Sequence, residues 1–173
     1  MKGQMTVEYL ISFMIFVGVI GYIYISYSAT IPAFTGEVVK EHTRSRAFQL
    51  SELLVNDPGE PENWDASIVE RIGLLDESSN KQNLISGDKV DELSNNFPCP
   101  AQYDNLMKKL GMNETFSIII SKYVGETRQT IYTCDPPAFI GTINVTIVRI
   151  VALNDTQSDP SGILKPGEVI IQM

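Results

Sequence analysis

A run of 23 residues near the start of the chain, residues 9–31, contains no Asp, Glu, Lys or Arg. As an α-helix it would measure about 34 Å at about 1.5 Å per residue, and the hydrocarbon core of a bilayer is about 30 Å thick. Tyr22, Tyr24 and Tyr27 lie toward its far end, and aromatic rings favour the boundary between membrane and water. The run predicts a transmembrane helix over residues 9–31.

Two other interpretations of this run are weaker. A cleaved secretory signal has a basic first region, a shorter apolar stretch and a small-residue cleavage site. Here the basic region is one lysine, Lys2, and the apolar run is too long. A helix buried in the core of a soluble protein is the other alternative. We therefore prefer a single membrane span, which would lie in the membrane before any assembly.

The residues just ahead of the span make the prediction more specific. Residues 2–10 read KGQMTVEYL, and this stretch resembles the processing site of type IV prepilins. It is most similar to archaeal class III signal peptides, in which a very short basic leader ends in Gly and the mature chain begins with Gln. The resemblance implies a leader at residues 1–3, cut by the prepilin peptidase between Gly3 and Gln4. Glu8 then becomes the fifth residue of the mature chain, where pilins of this class carry a glutamate.

Glu8 is a charge at the edge of a membrane span, and a carboxylate there is costly unless it is paired. Cleavage after Gly3 would create an α-amino group on Gln4, largely protonated near neutral pH. In a bundle of such helices, Glu8 of one subunit could meet the Gln4 amine of its neighbour, so both residues are candidate assembly residues. In the alternative interpretation, Glu8 is a solvated residue at a helix start, where the helix dipole favours a carboxylate.

Beyond the span, residues 37–56 have the pattern of an amphipathic helix. Apolar or small residues recur at spacings of three and four, at Val39, Thr43, Ala47, Leu50 and Leu54. Two prolines and a glycine in residues 56–63 then end the helix. The prediction is an N-terminal helix over residues 4–56, with the transmembrane part at 9–31 and the amphipathic part at 37–56, followed by a soluble head over residues 57–173.

The head is predicted to be α+β. Asp65 can cap a short helix, Ser86 or Asp88 a second, and residues 101–110 form a third. From Asn113 onward the apolar pattern has a period of two, which is typical of strands. The predicted strands form an antiparallel sheet of about four, and they cover residues 116–124, 129–134, 142–153 and 168–173.

The chain has two cysteines, Cys99 and Cys134, each in a turn that contains prolines. Outside the membrane they could oxidise to a disulfide, and closing a loop of about 36 residues would stabilise the fold by about 3–4 kcal/mol on the chain-entropy model. Two unrelated buried thiols are the alternative. A zinc site would need more ligands than the chain offers.

Three tripeptides have the form Asn-x-Ser/Thr, and each is a candidate glycan acceptor in an exported chain. They begin at Asn113, Asn144 and Asn154. Asn113 and Asn154 flank predicted strands and are the better candidates. Asn144 lies inside a predicted strand, so its use depends on whether its side chain faces solvent.

The sequence contains no motif for catalysis. It has no Gly-rich phosphate loop, no Cys/His or Ser/His/Asp constellation and no metal-ligand cluster. The single histidine, His42, has no second His or Cys near it and is predicted to be an ordinary helix residue. The formal net charge of −8 argues against a nucleic-acid partner, since binding needs a basic face. We expect no enzyme, no metal and no cofactor.

The resemblance implies a structural subunit of an archaeal type IV pilus-like filament on the cell surface, with adhesion or another surface interaction as its output. Its partners would be other copies of itself, the prepilin peptidase and the pilus assembly machinery. A minor pilin or pseudopilin of a secretion or DNA-uptake fibre is one alternative. A single-span protein whose extracellular head binds a ligand, and which never polymerises, is the other.

Overall fold

The computed structural model describes residues 4–65, 67–77, 81–138, 145–154 and 164–173. Its helices and strands, in chain order, are α1 (Gln4–Asn56), β1 (Leu84–Ser86), α2 (Gly87–Asn96), α3 (Tyr103–Lys109), β2 (Ser117–Val124), β3 (Thr127–Cys134), β4 (Thr146–Asn154) and β5 (Lys165–Gln172).

The chain forms two compact units, one up to His42 and the other from Thr43 to Met173. In the first unit the described residues belong to α1. The second unit contains the last turns of α1 together with every described strand and both short helices. We call this second unit the head. The predicted fold class, α+β with a long N-terminal helix, is confirmed.

The sheet has five described strands in the order β1-β4-β5-β2-β3. Four of them are antiparallel neighbours, as the period of two predicted. The fifth, β1, was not predicted, and it pairs parallel with the end of β4, so the sheet is mixed. Another difference is that β5 begins at Lys165, three residues before the predicted start.

The last turns of α1 supply part of the core of the head. Ala47, Leu50 and Leu54 are buried there, as the amphipathic pattern predicted, because spacings of three and four place them on one side of the helix. Val39 is 64% exposed, so the buried stripe starts later than predicted. The sheet contributes the other side of the core with Ile118, Ile120, Val151, Val169 and Ile171.

The segment after α1 is not the helix that we predicted from Asp65. The Asp65 carboxylate accepts hydrogen bonds from the backbone N–H and the hydroxyl of Ser67, and the segment continues as turns. Its backbone pairs instead across the loop, where Glu60 and Arg71 form an isolated antiparallel bridge. Trp64 is buried beside this bridge, and its indole N–H donates to the carbonyl of Gly73 at 2.8 Å.

The two predicted helices that follow are present. Ser86 caps α2 by accepting from the backbone N–H of Lys89. In α3 the buried Tyr103 hydroxyl donates to the Phe116 carbonyl at 2.9 Å and accepts from the Phe116 N–H at 2.8 Å. These two bonds fasten α3 to the residue that precedes β2.

A fragment of residues 36–173 is expected to be soluble and to unfold cooperatively. It keeps the whole unit Thr43–Met173 with its own core, and it lacks the exposed apolar part of α1, which is long and apolar enough to cross a membrane. Size-exclusion chromatography and thermal unfolding by circular dichroism test this. Aggregation of the fragment would mean that the head leaves its own apolar surface uncovered.

Candidate functional site: the apolar N-terminal helix

The predicted processing and assembly residues lie at the beginning of α1. Gln4 is the first described residue and lies in this helix, and Gly3 lies outside the described residues. Glu8 follows one turn later and is exposed. Glu8 thus lies just after the first described turn of α1, which contains no acidic residue, and directly ahead of the uncharged run that begins at Tyr9.

The described residues contain one helix segment that is long and apolar enough to cross a membrane, Val7–Ser28. It has 22 residues and a mean hydropathy of 2.0, and none of it is buried. This segment overlaps the predicted span of residues 9–31 and is consistent with a single-pass membrane protein. A core helix of a soluble protein would be mostly buried, which this one is not.

The exposed apolar surface of this segment is large. The share of each side chain that is exposed reaches 71% at Tyr9, 73% at Met14 and 70% at Ile25. Removing one such side chain from water is favourable by about 1.5–3 kcal/mol. Soluble monomers rarely leave so extended an apolar surface uncovered. A lipid bilayer is one environment that would cover it.

Within the head, Arg149 of β4 connects the sheet to α1. Its guanidinium pairs with Glu52, donates from Nε to the Ser51 hydroxyl at 3.2 Å, and lies 4.6 Å from the centre of the Phe48 ring. A hydrogen bond from Asn56 and the charge of Arg149 together lower the pKa of Glu52. The Glu52 carboxylate therefore stabilises the fold at pH values above its pKa in the unfolded chain. This stabilisation is lost as the pH falls through its lower pKa in the folded chain.

A polar cleft adjoins this connection, and sequence reasoning missed it. Its volume is about 390 Å³. Asn83, just before β1, has φ of 58°, and its side-chain Oδ1 is buried with no hydrogen-bond partner among the described residues. No periodic pattern marks the cleft, because its residues come from four separate stretches of the chain. They are Glu52, Asn56, Leu75, Lys81, Gln82, Asn83 and Arg149.

The two cysteines are brought together. Cys99 and Cys134 lie at disulfide distance, with their Cα atoms 4.9 Å apart, which is within the usual range for a bridge. Tyr132 lies beside them, and its hydroxyl donates to the Phe97 carbonyl at 2.9 Å and is 3.8 Å from the Cys99 Sγ. Burial raises the pKa of Tyr132, so this hydroxyl remains a hydrogen-bond donor.

The three predicted glycan acceptors differ in their surroundings. Asn113 is exposed, in the turn between α3 and β2. Asn154, at the end of β4, is partly buried, and its side-chain nitrogen donates to the Asp76 carboxylate at 2.6 Å. Asn144 lies outside the described residues. The partial burial of Asn154 and its bond to Asp76 restrict the room for a glycan there, whereas Asn113 is exposed to solvent.

No group of three or more His, Cys, Asp or Glu side chains in the described parts of the chain could hold a metal ion. His42 is an exposed residue of α1 in the first unit. The features that stand out are therefore the apolar helix, the polar cleft and the cysteine pair.

We compared the chain with models of protein families, with curated proteins and with solved structures, and none matched.

Proposed function

We propose that this chain is a structural subunit of a type IV pilus-like surface filament of archaeal type, assembled through its N-terminal helix. The observation that carries the proposal is the uncovered apolar segment Val7–Ser28, with none of it buried and with Glu8 at its start. A segment of this kind can lie in a membrane before assembly and pack against copies of itself afterwards.

The sequence ahead of the helix supports the same proposal. Lys2, Gly3 and Gln4 resemble the end of a class III leader, and Gln4 lies in α1, so a cut between Gly3 and Gln4 would leave a chain whose first residue is part of this helix. The prepilin peptidase and the pilus assembly machinery are then its partners, together with other copies of the chain.

The proposed location is the cell surface, with the head outside the membrane. Cys99 and Cys134 at disulfide distance support an oxidising compartment, where such bridges persist. In this location the sequons become usable, and we propose Asn113 as the preferred glycan acceptor because it is exposed. Adhesion or another surface contact is the proposed output.

A second candidate is a single-span protein whose head binds an extracellular ligand without polymerising. The polar cleft of about 390 Å³ favours it, since the unpartnered Oδ1 of Asn83 could accept a hydrogen bond from a ligand. A minor pilin or pseudopilin of a secretion or DNA-uptake fibre remains the alternative within the pilin class.

The two candidates predict different locations for the processed protein. Filaments sheared from cells and identified by peptide mass should contain this chain, and electron microscopy should show them missing from a strain that lacks it. Recovery of the chain only from the membrane fraction, with filaments unchanged in the deletion strain, would contradict the role of structural subunit and support the membrane-anchored binding protein.

A further inference from the structure

The polar cleft beside Arg149 has walls that are bonded to one another, and all seven residues that line it are described. Asn56 donates from Nδ2 to the Glu52 carboxylate at 2.7 Å, and its Oδ1 accepts from the backbone N–H of Asn83 at 3.0 Å. Glu52 also pairs with Arg149. Because these bonds hold α1, β4 and the residues before β1 together, the cleft is formed without a ligand, as binding sites usually are.

Asn83 has an unmet hydrogen-bond requirement at this cleft. Its backbone is held on both sides, because its N–H donates to Asn56 and its carbonyl accepts from the Ala152 N–H at 2.8 Å. Its side-chain Oδ1 is buried and has no partner among the described residues, and a buried acceptor without a donor costs free energy. A bound molecule that supplies a hydroxyl donor would remove this cost, so the cleft favours a ligand with hydroxyl groups.

The charges around the cleft favour an anion. Its lining has two cations, Lys81 and Arg149, and one carboxylate, Glu52. The lining is therefore positive, whereas the whole chain has a net charge of −8. Arg149 is already bonded to Glu52 and to the Ser51 hydroxyl. That pairing leaves the exposed Lys81 as the cation for a ligand, and an ammonium attracts a carboxylate.

The size and the lining of the cleft suit one sugar ring. Its volume of about 390 Å³ is near the lower end of the range for ligand sites, about 300–1,000 Å³. The amide of Gln82 can donate and accept at the same time, which matches neighbouring hydroxyls, and Leu75 offers an apolar surface to the C–H groups of a ring. An amino acid is also small, but its two charges cancel and so do not match a positive lining.

We propose that the polar cleft binds a sugar acid, a single sugar ring that carries one carboxylate. The carboxylate pairs with Lys81, and ring hydroxyls bond to Gln82 and donate to the Asn83 Oδ1. This inference rests on the second candidate function in one respect, since it names the ligand of the cleft that favours that candidate. It does not require that the chain remain outside filaments, because the head contains the same cleft in either case.

Calorimetric titration of the full-length chain in detergent with three probes tests the ligand class. Glucuronate has both the hydroxyls and the carboxylate, glucose has the same ring without the charge, and acetate has the charge without hydroxyls. Glucuronate is expected to bind at least about tenfold more tightly than either of the others. No binding of glucuronate, or equal affinity for glucuronate and acetate, would overturn the proposal. Tighter binding of glutamate than of glucuronate would identify an amino-acid site instead and would also overturn it.

Two variants place the binding in the cleft. Lys81→Met should weaken glucuronate at least about tenfold and leave glucose unchanged, whereas the control Lys108→Met, an exposed lysine of α3, should change neither. Asn83→Gly suits the φ of 58° and should weaken both sugars. Wild-type affinity for glucuronate in Lys81→Met would overturn the proposal. Failure to bind in a chain that is found in filaments overturns this inference alone, and binding by a chain that is absent from filaments overturns only the role of structural subunit.

Discussion

A Glu8→Gln variant is expected to insert into the membrane and to be cleaved after Gly3, yet to give at least tenfold fewer filaments than the wild-type chain. In the bilayer the variant loses little, because water at the headgroups solvates the carboxylate at the start of α1. In a filament core the same change leaves the Gln4 ammonium of a neighbouring subunit without its partner. Removing one partner of a buried ion pair costs about 3–5 kcal/mol.

The measurement compares the amount of processed protein in membranes with the amount in sheared filaments. Glu37→Gln is a matched control, because Glu37 is another exposed carboxylate of α1 but lies outside the apolar segment. It should leave the yield of filaments unchanged. A pyroglutamate at Gln4 would remove the ammonium, so the state of the N-terminus must be determined in the same samples. Normal filament yield from Glu8→Gln with an uncyclised N-terminus would show that Glu8 is only a solvated helix-start residue.

Gly73→Ala is expected to lower the free energy of unfolding of the head by about 3 kcal/mol or more. A Cβ on Gly73 would lie 2.5 Å from the backbone nitrogen of Gly59 and even closer to the Asp57 carbonyl oxygen. Backbone atoms cannot move aside as a flexible side chain can, and overpacking of this kind disrupts the segment around it. The same segment holds Leu74, whose N–H donates to the Leu54 carbonyl in the last turns of α1 at 2.9 Å.

Chemical denaturation of the fragment of residues 36–173 gives this free energy directly. Gly125→Ala is the control, because it places alanine in an unfavourable backbone conformation without a steric clash. Gly125 has φ of +64° and open space around it, so alanine there should cost only about 1–2 kcal/mol. If the two variants lose the same free energy of unfolding, Gly73 is not confined by the backbone of the loop.

The strongest elements of the fold could be predicted because their signals are local. The uncharged run ahead of residue 32 predicted the apolar segment of α1, and the period of two predicted four of the strands. Ala47, Leu50 and Leu54 were predicted to be buried by their spacing alone, and they are. In each of these cases neighbouring residues along the chain carry the pattern, so no distant contact is needed to detect it.

The failures involve contacts between distant segments. β1 has three residues, too few for a periodic signal, and its parallel partner on β4 lies far along the chain. Asp65 was predicted to cap a helix, but an aspartate can accept from the N–H two residues on in a turn as readily as at a helix start, and here it does so with Ser67. The Glu60–Arg71 bridge and the burial of Trp64 then fix that loop.

The candidate site was predicted only in part. The apolar helix and the cysteine pair followed from composition and from proline-flanked turns. The polar cleft could not be predicted, because its residues come from distant parts of the chain.

The most direct test of the proposed function is the mass of the N-terminal peptide of this chain in purified surface filaments. Processing by a prepilin peptidase predicts a chain that begins at Gln4, either free or cyclised to pyroglutamate with loss of ammonia. The same spectrum distinguishes the two forms. A chain in surface material that still begins at Met1, or one that is cut after Ala29, would contradict assembly through a processed N-terminal helix.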